Sequence, residues 1–121
     1  MTIIHLPMPP TSNNLFATEM ASGRRFKTAQ YSAWLKHAGY LLNLQRIKPI
    51  KERVDILIEV SDAETTDASD LDNRTKATLD LLVAHKIIQG DSKPYVRRVT
   101  MAWGNNEGVK VTIAPISSTD D

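Results

Sequence analysis

Apolar residues recur along the chain in two different periods, and the switches between them predict its elements. Val54, Ile56, Ile58 and Val60 alternate with Asp55, Leu57 and Glu59, the period of a strand with one face covered. Tyr31, Trp34, Leu35, Ala38, Leu41 and Leu42 instead follow the i, i+3, i+4, i+7 spacing of an amphipathic helix, and Thr28 is placed to cap it. A second helix is predicted from about Asp72 to Lys86, with Leu71, Thr75, Thr78, Leu79, Leu82 and Val83 as its buried stripe and Gly90 ending the turn after it. Thr2 to Leu6 reads as a short first strand, and the proline-rich and polar stretch from Pro7 to Asn14 as a loop. Arg24 to Thr28 reads as an arm or hairpin. Tyr95 to Trp103 and Val109 to Ala114 are the last two strands, joined by Gly104-Asn105-Asn106-Glu107-Gly108, which has the composition of a hairpin loop. Ser117 to Asp121 reads as a frayed tail.

The order is strand, helix, strand, helix, strand, strand. It predicts an α/β fold with a mixed sheet covered by two helices. With 121 residues and 41% hydrophobic content, one domain spanning 1–121 is expected. The absence of cysteine excludes disulfides and thiolate metal sites. Pro7, Pro9 and Pro10 interrupt the first apolar stretch, which no basic segment precedes, so a signal peptide is not expected. No apolar run approaches membrane-spanning length. The expectation is a cytoplasmic protein without a membrane partner.

A net charge of +1 says little until its distribution is considered. Eight of the fourteen acidic residues lie between Glu52 and Asp72, and no lysine or arginine interrupts the stretch from Glu59 to Asp72. The cations cluster elsewhere: Arg24, Arg25 and Lys27; Arg46, Lys48, Lys51 and Arg53; Arg97 and Arg98. Such separation suits a cation-binding pocket flanked by phosphate-binding surface. Without a motif, an ordinary solvated surface is the preferred account.

The motif is Asp70-Leu71-Asp72-Asn73-Arg74-Thr75-Lys76. If Asp70 to Asp72 is extended where the chain enters the second helix, both carboxylates point to one side and can meet one cation, while Leu71 turns to the core. Lys76 follows Asp72 by one helical turn, and its ammonium can reach a phosphate at that cation. Asp80 lies one further turn along. Magnesium favours such hard oxygen ligands and leaves positions for water and substrate phosphate. The alternative is structural, because acids in a first helical turn also cap it and complement its dipole. A calcium-binding EF-hand loop fits poorly, since Thr75 and Leu81 stand where its glycine and glutamate belong.

Asp-Leu-Asp-Asn with Lys76, Asp80 and the downstream Asp91, together with the segment Leu6-Pro-Met-Pro-Pro-Thr-Ser-Asn-Asn14, resembles the RusA family of Holliday junction resolvases. The resemblance extends over almost the full chain. It implies a magnesium-dependent endodeoxyribonuclease, with manganese as a substitute, that cuts branched DNA at four-way junctions by paired nicks in recombination and repair. It further implies that Asp70, Asp72 and Asp91 hold the metal, that Lys76 is the active-site lysine, and that the working unit is a homodimer. The run Thr65-Thr66-Asp67-Ala68-Ser69 departs from the basic residues that often precede the motif in that family. An alternative of a different class is a non-catalytic protein that binds DNA structures on the same dimeric scaffold.

Candidate DNA contacts are Asn13, Asn14, Arg24, Arg25, Lys27 and Asn73. Asn13 and Asn14 read equally as turn formers, and the three cations as a solvated hairpin. Tyr31 and Trp34 are expected in the core rather than as stacking platforms. A helix from Asp72 to Lys86 would be about 21 Å long, whereas five extended steps on to Asp91 return at most about 17 Å. Either that helix is shorter or Asp91 reaches its metal site across the dimer.

Overall fold

A computed structural model describes residues 1–116, so the expected tail at 117–121 lies outside the described residues. Its elements are, in order, β1 (Thr2–Leu6), β2 (Phe16–Thr18), β3 (Arg25–Lys27), α1 (Ala29–Leu44), β4 (Val54–Ser61), α2 (Thr75–Ala84), β5 (Val96–Gly104) and β6 (Val109–Pro115). Short 3-10 turns occupy Ser12–Asn14 and Leu71–Arg74. The fold is mixed α/β, as expected: two helices, a four-stranded sheet and a two-stranded one. The arm at Arg24 to Thr28 is realised as the second strand of the antiparallel β2–β3 hairpin.

The main sheet runs β1-β6-β4-β5, with β4 parallel to β5 and the other neighbours antiparallel. Val54, Ile56, Ile58 and Val60 of β4 are buried, and this most buried strand of the sheet takes partners on both edges. That placement overturns the expected β5–β6 hairpin, because β4 lies between the two strands. The segment Gly104 to Gly108 instead crosses the end of β4. It is fastened there by hydrogen bonds from Ser61 N to the Gly108 oxygen (2.9 Å), Asp62 N to the Gly104 oxygen (3.0 Å) and Asn106 Nδ2 to the Glu59 oxygen (3.0 Å). Glycine is required at the far end of this crossing. Gly108 has φ +55°, and a Cβ there would meet the Leu6 carbonyl oxygen at 2.2 Å.

Helix α1 begins where expected: the Thr28 hydroxyl accepts the amide of Tyr31 at 3.1 Å. It buries Tyr31, Trp34, Ala38 and Leu42 in the core, and Trp34 Nε1 donates to the Pro7 oxygen at 3.0 Å. The core role foreseen for both aromatics is thereby met. Its last turn is tied to β1 by Gln45, whose side-chain amide both accepts from His5 N (2.9 Å) and donates to the His5 oxygen (2.7 Å).

Helix α2 is the crossover between the parallel strands β4 and β5, and it is shorter than its periodicity suggested. The first turn is 3-10, and a left-handed Lys86 (φ +59°) follows its end. The buried residues are Ala77, Thr78, Leu81 and Leu82, with Leu79 and Val83 only partly covered. The stripe is thus turned by about one position from the expected one. No described helix is long and apolar enough to cross a membrane.

Candidate active site

The acidic segment follows the carboxyl end of β4, where a crossover in a parallel pair leaves loops free to carry chemistry. The loop from 62 to 70 closes on itself through hydroxyls. Thr65 Oγ1 donates to the Ser61 and Asp62 oxygens, and Ser69 Oγ accepts the amide of Thr66 at 3.1 Å. Asp70 then leaves the loop in an extended conformation (φ −92°, ψ 135°), and Leu71 opens the 3-10 turn with its side chain partly buried against the core.

The expected extension through Asp72 is therefore not found: Asp72 already lies within the turn. What remains is that Asp70 and Asp72 are both exposed and two residues apart. Asp70 occupies the position before the turn, yet its carboxylate makes no capping hydrogen bond. Among the described residues neither Asp70 nor Asp72 has a side-chain hydrogen bond or ion pair. Acids retained for capping would be engaged with backbone amides, and these are not.

Three contacts hold the segment from outside. Arg74 Nη1 donates to the Pro9 oxygen. The Ser12 hydroxyl donates to the Asn73 oxygen at 3.2 Å. Thr75 Oγ1 lies 3.1 Å from the sulfur of Met101 on β5. Burial lowers the pKa of the Arg74 guanidinium, as expected for a cation drawn beneath the surface. The proline-rich loop that drew attention by its composition thus serves as the brace of the acidic turn. The motifs contain Arg74 and Ser12 but give neither a bracing role, since a contact spanning some sixty residues leaves no local pattern.

Beside Asp70 lies a polar pocket of about 200 Å³, lined by Thr11, Thr66, Ala68, Ser69, Asp70, Asn73 and Arg74. The side-chain amide of Asn73 has no partner among the described residues and is open to a ligand here. A larger and more apolar cavity, about 650 Å³, opens between β1 and the crossing loop; Glu64 lines it, and neither Asp70 nor Asp72 does.

Lys76, in the first turn of α2, is exposed and pairs with Asp80 at 3.4 Å. The Asp80 carboxylate also faces α1: burial raises the pKa of the Tyr31 phenol, and the charge of Asp80 adds to the rise. Asp91 lies elsewhere. After α2 the chain is pinned by the Ile50–Ile88 bridge, and Ile50 N donates to the Ile87 oxygen at 2.8 Å. The turn holding Asp91 then leads into Tyr95, whose oxygen accepts the amide of Val54 at the start of β4. Asp91 therefore sits by the amino ends of β4 and β5, whereas Asp70 and Asp72 follow the carboxyl end of β4. Among the described residues no three acidic or histidine side chains gather within one chain to hold a metal.

Of the candidate DNA contacts, Asn14 is committed to its turn, with Nδ2 donating to Thr11 Oγ1 at 2.9 Å, and Asn13 is exposed beside it. Arg24, Arg25 and Lys27 are exposed along the hairpin, and the Arg25 guanidinium lies over the ring of Phe16 at 4.0 Å. No curated protein matches the chain. The profile of the endodeoxyribonuclease RusA family matches residues 7–114 of its 121. The chain belongs to the RusA endodeoxyribonuclease family.

Proposed function

We propose that this nuclease-family chain is a magnesium-dependent endonuclease that resolves four-way DNA junctions as a homodimer, making paired nicks in recombination and repair. The observation that carries the reading is the pair of exposed carboxylates, Asp70 and Asp72, held on a braced turn without any partner among the described residues. Their chemistry fits the metal: hard, anionic oxygens in an open position. Magnesium bound there, or manganese in its place, supplies an acidified water and offsets charge on the scissile phosphate.

Asp70 and Asp72 would hold the ion from one chain. Asp91, at the other end of the β4–β5 pair, would complete the site from the second copy. The outer edge of β5 supports that arrangement. Val99 and Trp103 are 36% and 41% exposed there, on a strand that pairs only with β4 among the described residues. Lys76 would neutralise a phosphate oxygen, with Asp80 keeping its ammonium near the turn. The Asn73 amide would contact the strand lying in the polar pocket.

The test is nicking of a synthetic four-way junction in magnesium, against a linear duplex of the same sequence. Paired nicks in the junction and none in the duplex are expected. Junction binding without nicking would favour the non-catalytic alternative. Mixing Asp70→Asn chains with Asp91→Asn chains tests the sharing: mixed dimers regain one intact site if Asp91 acts across the dimer, and none if it acts within its own chain.

A further inference from the structure

The β2–β3 hairpin carries side chains that neither the core nor the proposed catalytic site uses. It is bound at its root to the acidic turn. The Thr28 hydroxyl donates to the Asn14 oxygen at 2.6 Å, and Thr28 N donates to the Leu15 oxygen at 3.0 Å. Two residues before Asn14, Ser12 holds Asn73. Phe16 fixes the hairpin to α1 by packing edge-on against Tyr31, with ring centroids 5.7 Å apart.

Its far end is shaped rather than loose. Glu19 N donates to the Arg24 oxygen and Gly23 N to the Glu19 oxygen, both at 2.8 Å, and Gly23 takes the left-handed conformation that this turn needs (φ +70°). Met20 stands out from this turn 99% exposed. Beneath it, Phe26 is 47% exposed. In the strand register Phe26 faces Ala17, on the side opposite the Phe16 ring that anchors the hairpin. Arg24, Arg25 and Lys27 outnumber the single carboxylate, Glu19.

An apolar tip on a hydrogen-bonded two-stranded arm, flanked by cations and rooted at the acidic turn, has one substrate chemistry that satisfies all of its parts. The cations match the phosphates of a DNA backbone, and a flexible thioether can enter a base step that is already weakly stacked. We propose that the β2–β3 hairpin is a wedge that places Met20 between bases at the branch point of the junction, with Arg24, Arg25 and Lys27 gripping the flanking phosphates. This inference rests on the proposed junction substrate. It adds how a branch is told from a duplex: a continuous stack must be broken to admit Met20, and a branch point is already open.

The experiment uses a four-way junction with 2-aminopurine at the crossover, bound in chelator so that the strands stay whole. Wild-type protein raises the fluorescence of the unstacked base. Met20→Ser removes most of that rise and weakens junction binding about tenfold, leaving linear-duplex binding unchanged, and Met20→Leu retains the rise. Arg24→Ala with Arg25→Ala weakens both DNAs and lowers the salt dependence by about one unit per lost phosphate contact. Circular dichroism confirms that the Met20 variants are folded. A full fluorescence rise with Met20→Ser overturns the wedge while leaving the junction nuclease intact. So does a Met20→Ser protein that turns from dimer to monomer in sedimentation, since the tip would then serve self-association. A wild-type protein that does not bind junctions at all overturns this inference together with the function on which it rests.

Discussion

The guanidinium of Arg74 donates to the carbonyl oxygen of Pro9, 65 positions earlier in the chain, and so joins the buried proline loop to the turn that carries Asp70 and Asp72. Together with the Ser12–Asn73 hydrogen bond it fastens the loop to the turn. Arg74→Ala leaves the Pro9 oxygen without its donor in a partly buried place, so a loss of about 1–3 kcal/mol is expected in urea unfolding. Nicking should slow as well, because the turn loses its brace. Stability within about 0.5 kcal/mol of wild type would show that the turn holds itself.

Asp70→Asn and Asp72→Asn should each abolish nicking while leaving junction affinity equal or tighter. The substitutions remove metal ligands and, at the same time, negative charge that opposes phosphate. Gel-shift titration beside a cleavage assay separates the two effects. Unchanged nicking by both variants would remove these carboxylates from the chemistry.

Lys76→Ala should slow nicking about a hundredfold by removing a cation from the developing phosphate charge. Asp80→Ala should change stability by less than about 0.5 kcal/mol, since the Lys76–Asp80 pair is largely exposed. Its kinetic effect distinguishes an orienting carboxylate from a mere surface pair. A slowed rate in Asp80→Ala that Asp80→Glu restores supports orientation, whereas an unchanged rate leaves only the surface pair.

The Asp55–Arg97 pair predicts a pH dependence of stability. Arg97 Nε and Nη2 donate to the two Asp55 oxygens at 3.0 and 2.6 Å, reaching across the register shift at the start of β5. The Arg97 hydrogen bond lowers the pKa of Asp55, against the opposing effect of burial, and the charges of Arg97, Arg98 and Arg53 lower it further. A carboxyl with a depressed folded pKa stabilises fully above its unfolded pKa, and that stability is lost as the pH falls through the folded value. Urea midpoints should therefore drop below about pH 4, and Asp55→Asn should flatten that part of the profile while costing about 1–2 kcal/mol at neutral pH. Parallel profiles for the two proteins would contradict the pair's contribution.

Elements were legible where one residue's environment repeats at a fixed interval. The alternation in β4 and the stripe of α1 mark a covered face whatever that face meets, and Thr28 announces the helix start through a bond made only three residues away. Arg24 to Thr28 was legible as part of an arm for the same reason, but its partner strand Phe16–Thr18 carries too short a pattern to be read. Strand order was not legible. A strand edge offers the same amides and carbonyls to any partner, so the loop from Gly104 to Gly108 suits a hairpin until the apolar β4 claims both β5 and β6. Nor could local spacing disclose that a 3-10 turn would carry Asp72, or that Arg74 would reach Pro9 and Ser12 would reach Asn73. The sequence by itself determined that two carboxylates stand two residues apart just before the second helix. Tertiary structure decided that a parallel crossover sets Asp91 at the opposite end of two strands from Asp70 and Asp72, because α2 must run back along the sheet before β5 can begin.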